Sequence, residues 1–353
     1  MSRLLETPSG GLTYASSGVS IEAGDDAVER IKDVVATTTR PEVLGGIGGF
    51  GGLFALDTSA YHEPVLVASA DGVGTKLEVA RLLDRYDTIG IDLVAMLVDD
   101  LACVGAEPLF LLDYVAVGSL DPARLAAVVA GVAEGCRQAG AALLGGETAE
   151  HGGVMRPDDL DLAGFTVGVV ERGSELGSHR VRVGDTLIGF GSPGLRSNGY
   201  SLARRALVDD PRRLDEPAYE GASRTLGEEL LVPSVIYVPA VLALRRELGG
   251  AIHAAAHITG GGIVGNVVRV LPPDVDAVID MTSFVTPEIF FEIQRRGAVS
   301  SEEMVRVFNC GLGMVVAVDR DAADAAVRVS RDAGVDATII GEVTAGAGSV
   351  VLR

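Results

Sequence analysis

The chain has 353 residues, 48% of them hydrophobic, and a formal net charge of −20. That length is too great for one ordinary core and sets two domains as the expectation. The acidic balance argues against nucleic acid or an anionic membrane as a partner of the whole surface, although a local site can still take an anion.

Met1 to Gly11 carries neither a basic n-region nor an apolar h-region, and no apolar run is long enough to span a bilayer, so the chain reads as soluble and cytoplasmic. Cys103, Cys136 and Cys310 show no C-x-x-C spacing and read as reduced, mostly buried thiols.

In chain order, the first helix is predicted from Ala23, with Ala27, Val28, Ile31, Val34 and Val35 at helical spacing and Lys32 on the same helix. Gly45 to Gly52 follows, with six glycines in eight residues. It is not a Walker A loop, because no Gly-Lys-Ser/Thr closes it; a lid over phosphates and a passive flexible linker both fit. The apolar run 64–68 predicts a buried strand leading into Ser69-Ala70-Asp71-Gly72-Val73-Gly74-Thr75-Lys76. A carboxylate there suits a hard cation such as Mg²⁺, freed glycine N–H groups suit phosphate oxygens, and an ammonium adds positive charge. Only two of the 29 basic residues are lysines, Lys32 and Lys76, which marks Lys76 as a functional candidate.

Leu77–Leu83 and Ile89–Val104 are the next predicted helices. The second is nearly all apolar yet carries Asp92, Asp99 and Asp100, aligned by a seven-residue spacing of about two turns. Buried carboxylates need partners. With few basic residues nearby in sequence, metal ligation is expected in preference to salt bridges or caps.

Strands are predicted at 109–117, 141–144 and 162–170, with a helix at 122–139 capped by Asp121. Asp71 and Glu147 are both placed just past strand ends, where α/β sheets put their sites. The class is therefore α/β or α+β with mixed sheets, divided as 1–172 and 173–353. In the second part a strand at 186–190 precedes Ser197-Asn198-Gly199. Another strand leads through His257-Ile258-Thr259 into Gly260-Gly261-Gly262 at a helix start, an anion-binding corner. His257 is within reach of a substrate there, although a lone histidine at a strand end is more often structural. Cys310 has no base beside it and reads as packing.

Eight stretches in order resemble the phosphoribosylformylglycinamidine cyclo-ligase (aminoimidazole ribonucleotide synthetase) family: 40–52, 71–76, 87–96, 105–110, 145–150, 197–202, 257–262 and 308–314. The resemblance covers the chain from Gly18-Val19 to about Gly341. It implies a two-domain protomer that dimerises through its N-terminal sheets. It also implies an ATP- and Mg²⁺-dependent ring closure of formylglycinamidine ribonucleotide in purine biosynthesis, in which the formyl oxygen is phosphorylated and phosphate then expelled.

On that pattern Asp71, Asp100 and Glu147 would hold Mg²⁺, and Asp71, Lys76, Asp100 and His257 would be catalytic. Lys32, Gly45, Gly46, Gly48, Gly49, Gly51, Gly74 and Thr75 would meet the nucleotide. Ser197, Asn198, Gly199, Thr259, Gly260, Gly261 and Asn309 would meet the substrate. The chain departs from the family at Asp99, where asparagine is usual, at Arg196, where histidine is usual, at His151 to Met155, and at Gly265, where an acid is common. The competing reading is a diverged paralogue that uses another substrate or only binds nucleotide.

Overall fold

The computed structural model describes residues 11–17 and 19–353, so the reading of residues 1–10 lies outside it. The first half runs α1 (Ile21–Ala36), β1 (Val43–Leu44), β2 (Leu53–Phe54), β3 (Pro64–Gly72), α2 (Leu77–Leu83), α3 (Ile89–Cys103), β4 (Glu107–Val117), α4 (Pro122–Ala139), β5 (Ala142–Glu150) and β6 (Leu160–Glu171). Helix α1 starts two residues before Ala23 because the Ser20 side chain accepts from Ala23 N and caps it. Strands β1 and β2 form a short antiparallel hairpin whose connection is the glycine loop. The four-stranded sheet is ordered β3-β6-β4-β5, with the only parallel pair, β4–β5, joined through α4.

The second half runs β7 (Thr186–Gly191), α5 (Tyr200–Leu207), α6 (Leu226–Leu230), α7 (Val238–Leu248), β8 (Ile252–His257), α8 (Gly262–Val267), β9 (Val275–Ile279), α9 (Glu288–Gly297), α10 (Ser301–Val307), β10 (Leu312–Val318), α11 (Ala323–Asp332), β11 (Ala337–Ala345) and β12 (Val350–Leu352). Its six-stranded sheet is ordered β12-β9-β11-β7-β10-β8 and is antiparallel except at the β12–β9 edge. Two mixed sheets with flanking helices match the expected class. Strands β9, β11 and β12 lie outside the predicted elements: β9 and β12 are short, and β11, nine residues in the sheet interior, has a burial pattern that repeats every three residues instead of every two.

Helix α3 explains much of the rest. Twelve of its fifteen residues are buried, Asp92 and Asp99 among them. It packs on the N-terminal sheet with one side and against α7 and β8 with the other. A helix enclosed this way must be apolar all round, and its acids need partners, which come from both halves of the chain.

One expectation is corrected. Asp71 and Glu147 lie inside strands β3 and β5, not beyond them, because pairing with β6 and β4 continues to Gly72 and Glu150.

Candidate functional site

Asp71 and Asp100 meet at the seam between the two halves. Asp71 is opposite Gly164 on β6, on the sheet face that α3 covers. Asp100 is on α3, where its Oδ2 accepts from Ser69 Oγ at 3.2 Å and its Oδ1 lies 3.0 Å from His257 Nδ1. Burial pushes the Asp71 carboxyl up, and the nearby Asp100 charge adds to this against the Gly72 N–H that it accepts. Burial acts on Asp100 in the same direction, but the hydrogen bonds from His257 and Ser69 outweigh it and hold that carboxyl below its usual range. Two acids with offset proton affinities, both reached by solvent, face a histidine.

The glycine corners adjoin them. Thr75 Oγ1 lies 3.1 Å from Ser201 Oγ, which ties the turn after β3 to the segment 197–201. Gly199 has φ +78°, and a Cβ there would lie 2.3 Å from the Phe308 ring. Gly262 has φ +63°, and its Cβ would lie 2.0 Å from Val305 O. Only glycine fits either corner. Asn266 pins the second one by donating from Nδ2 to the carbonyl of Gly262 at 2.8 Å and lying 3.3 Å from those of Thr259 and Gly260. Ser197 Oγ and Asn198 Oδ1 are buried without a partner among the described residues. Such atoms are costly unless something supplies the missing bond.

Three expectations fail in this geometry. Lys76 is fully buried, its Nζ 2.6 Å from Asp92 Oδ2 and donating to Val232 O at 2.8 Å. Burial lowers its proton affinity and Asp92 opposes that; the ammonium is an internal ion-pair partner, not an open charge. Asp92 and Asp99 are likewise not ligands. Asp92 accepts from Ser234 N and Oγ, and Asp99 from Arg196 Nη2 and the N–H groups of Tyr237 and Val238. Their partners come from residues distant in sequence, which local basic content does not reveal.

Glu147 does not join Asp71 and Asp100 within one chain. It lies in the row of Tyr114 and Ala163, one residue out of step with the row of Asp71, and so points to the opposite sheet face. Three strand spacings, about 14 Å, separate β3 from β5. Asn309 donates one Nδ2 hydrogen to Gly194 O and accepts at Oδ1 from Gly311 N, which holds its amide beside the turn at 194.

A second region holds the remaining residues. A cavity of about 680 Å³ is walled by α1, the loop Gly46–Gly52 and the β4 and β5 segments around Asp113, Tyr114 and Glu147. Lys32 borders a smaller cavity beside it and pairs with Glu29. Phe50 at the loop tip is fully exposed. Asp113 has no cationic partner among the described residues, and burial pushes its carboxyl up to about 7. Nothing in the sequence marked Asp113; Ser69 opens the stretch that ends at Lys76 without a role of its own, and Asn266 stands beside Gly265 after the triple glycine. Elsewhere, Asp185, His253 and Asp319 cluster, but His253 Nδ1 is held by Asp185 at 2.7 Å and Asp319 by Arg182, so the group is an ion-pair cluster. The free Cys310 thiol is buried and pushed up to about 12.

Family models for AIR synthase related protein match at both ends: the N-terminal domain over residues 56–170 and the C-terminal domain over 182–353. The chain belongs to the AIR synthase related family. Two relatives in it carry the same name. Phosphoribosylformylglycinamidine cyclo-ligase of Anaeromyxobacter sp. (strain Fw109-5) is 53% identical over 341 residues, covering 96% of this chain and 97% of the relative. That of Geotalea daltonii is 50% identical over 335 residues, covering 94% and 95%. Among solved structures, thiamine-monophosphate kinase from Stenotrophomonas maltophilia K279a aligns with a TM-score of 0.65 at 21% identity, covering 92% of this chain and 96% of that one. The hydrogenase maturation protein HypE in complex with ATP aligns at 0.64 and 18% identity, covering 92% and 90%. These structural likenesses speak to fold alone.

Proposed function

We propose that this chain is an ATP-dependent cyclo-ligase that closes formylglycinamidine ribonucleotide to aminoimidazole ribonucleotide, releasing ADP and phosphate, in purine biosynthesis. The observation that carries this is identity at half of all positions, across nearly the full length, with relatives of that name. Transfer of a phosphoryl group to the formyl oxygen needs positioning and neutralised charge more than a protein nucleophile, and the seam offers carboxylates and glycine corners with no activated thiol.

Asp71 and Asp100 fit a divalent cation: both are oxygen donors, the Asp100 charge is near enough to raise the Asp71 carboxyl, and among the described residues neither forms a salt bridge with a lysine or arginine. Mg²⁺ held there would neutralise the charge of a phosphate group brought to the seam. Glu147, across the sheet, does not complete that set within one chain. His257, donating to Asp100, orients that carboxylate. Ser197 and Asn198, with their unpartnered oxygens, and the backbone at Thr259 to Gly261 take the substrate's ribose phosphate. The nucleotide takes the glycine-walled cavity, with Phe50 and the loop as its cover and Lys32 at its edge.

The homodimer belongs to the same proposal. Leu66 on β3 and Phe165 on β6 share the uncovered face of the N-terminal sheet, 62% and 56% exposed, and a second copy would bury them. ADP release by the purified protein is the test. Release that depends on the ribonucleotide and matches product formation is expected. ATP binding without substrate-dependent release would leave a diverged paralogue.

A further inference from the structure

Two of the departures from the family pattern are a single event in space. Asp99 and Arg196 are 97 residues apart, yet Arg196 Nη2 donates to Asp99 Oδ2 at 2.8 Å, with side chains only 1% and 0% exposed. The arginine is over-determined. Its φ is +62°, a conformation costly for a side chain of this size; Nη1 donates to Val235 O at 2.8 Å, and the guanidinium lies 4.8 Å from the Tyr237 ring centroid. An aspartate–arginine pair sums to zero charge, as a neutral asparagine–histidine pair in its place would. Either change alone would strand a charge in the interior.

The same Nη2 lies 2.8 Å from His257 Nε2. A guanidinium has only protons to give, so Nε2 accepts, and the ring proton must sit on Nδ1, aimed at Asp100 Oδ1 3.0 Å away. We propose that Asp99 and Arg196 are a coupled positioning pair that fixes the His257 tautomer and, through it, the orientation of Asp100. The pair spans the seam: Asp99 and Asp100 are neighbours on α3, while Arg196 and His257 come from the other half. This rests on the site assigned above, but its physical claim stands apart from which substrate turns over.

The test begins with ¹⁵N-labelled wild-type protein. Long-range ¹H–¹⁵N spectra of its five histidines, with His257 assigned through His257→Gln, should show a ring protonated at Nδ1 and bare at Nε2. An Nε2–H ring overturns the proposal, whatever the activity. Asp99→Asn and Arg196→His are then made singly and together. Each single change should lower kcat about 10-fold or more with little change in substrate KM, and the double variant should recover to within about threefold of wild type. Losses that multiply in the double variant overturn the coupling. If a single variant does not fold, recovery of folding and turnover in the double variant serves the same purpose, and failure to recover overturns it. A wild type with the expected tautomer but no ribonucleotide-dependent turnover would remove the functional reading and leave the relay standing.

Discussion

The glycine-walled cavity and the seam between the two halves are built on opposite plans. The cavity is bounded by a loop of small residues with an exposed phenylalanine at its tip and a carboxyl, Asp113, that nothing neutralises. At the seam, Asp92, Asp99, Asp100, Lys76, Arg196 and His257 are tied into fixed hydrogen bonds and ion pairs. A loop with little side-chain burial can open and close at small cost, whereas a preorganised charge network is costly to disturb. The difference teaches where to expect binding and where to expect chemistry: on the proposed reading the first region would adapt to a ligand, and the second would hold its groups in place for one. Substitutions in each should therefore fail differently.

The largest effect is expected at the open carboxylates. Asp71→Ala and Asp100→Ala should each lower ADP release by about 10³-fold or more while the melting temperature stays within a few degrees. Both groups reach solvent, so their removal strands no buried charge in the core. Turnover retained by either variant would remove it from the reacting centre. Lys76 should behave in the opposite way. Lys76→Ala leaves Asp92 buried and unpaired and should cost about 3–5 kcal/mol of stability, read as a fall in the denaturant midpoint. A Lys76→Ala protein as stable as wild type but unable to turn over would return the lysine to an open catalytic role.

The contrast also governs what the sequence makes legible. Element type and order along most of the chain follow from apolar period and turn residues, and α2 and α4 fall on their predicted bounds. The glycine corners and Asp71 stand out because glycine and acid at such turns have few other uses. The partnerships on α3 do not. Asp92 and Asp99 find Lys76 and Arg196 only after folding brings together residues that sequence separates by up to 97 positions. Glu147 shows the same limit: its chemistry is plain in the sequence, but which sheet face it occupies depends on register, and a shift of one residue reverses the answer. Asp113 is invisible for a different reason, since its interest lies wholly in its surroundings.

Those surroundings give a smaller and pH-dependent effect. Burial raises the Asp113 carboxyl from the usual aspartate range to about 7 in the folded state. As pH rises from about 4 toward 7, the unfolded chain gives up this proton while the folded one keeps it, so stability falls by at most about 1.4 kcal/mol per pH unit from this group. Asp113→Asn removes that slope, and its stability relative to wild type should improve with rising pH, as followed by melts between pH 4 and 8. An unchanged slope would mean that Asp113 is ionised in the folded protein and that the cavity is wetter than its walls suggest.

The smallest stability effects, and the sharpest division between the two regions, are expected at Lys32 and Phe50. Lys32 pairs with Glu29 on an exposed helix face, an interaction worth about 0.3–0.5 kcal/mol, so Lys32→Ala should leave the melting temperature nearly unchanged. Phe50→Ala removes a side chain that buries nothing in the free protein and should also be silent in a melt. If the loop closes over nucleotide, both variants should raise the ATP KM by several-fold, about 1 kcal/mol of lost binding, while the KM for the ribonucleotide stays constant. A rise in the ribonucleotide KM instead would place the second substrate under the loop. No change in either would make the glycine loop the flexible linker that its composition also allows, and the nucleotide would then belong at the seam.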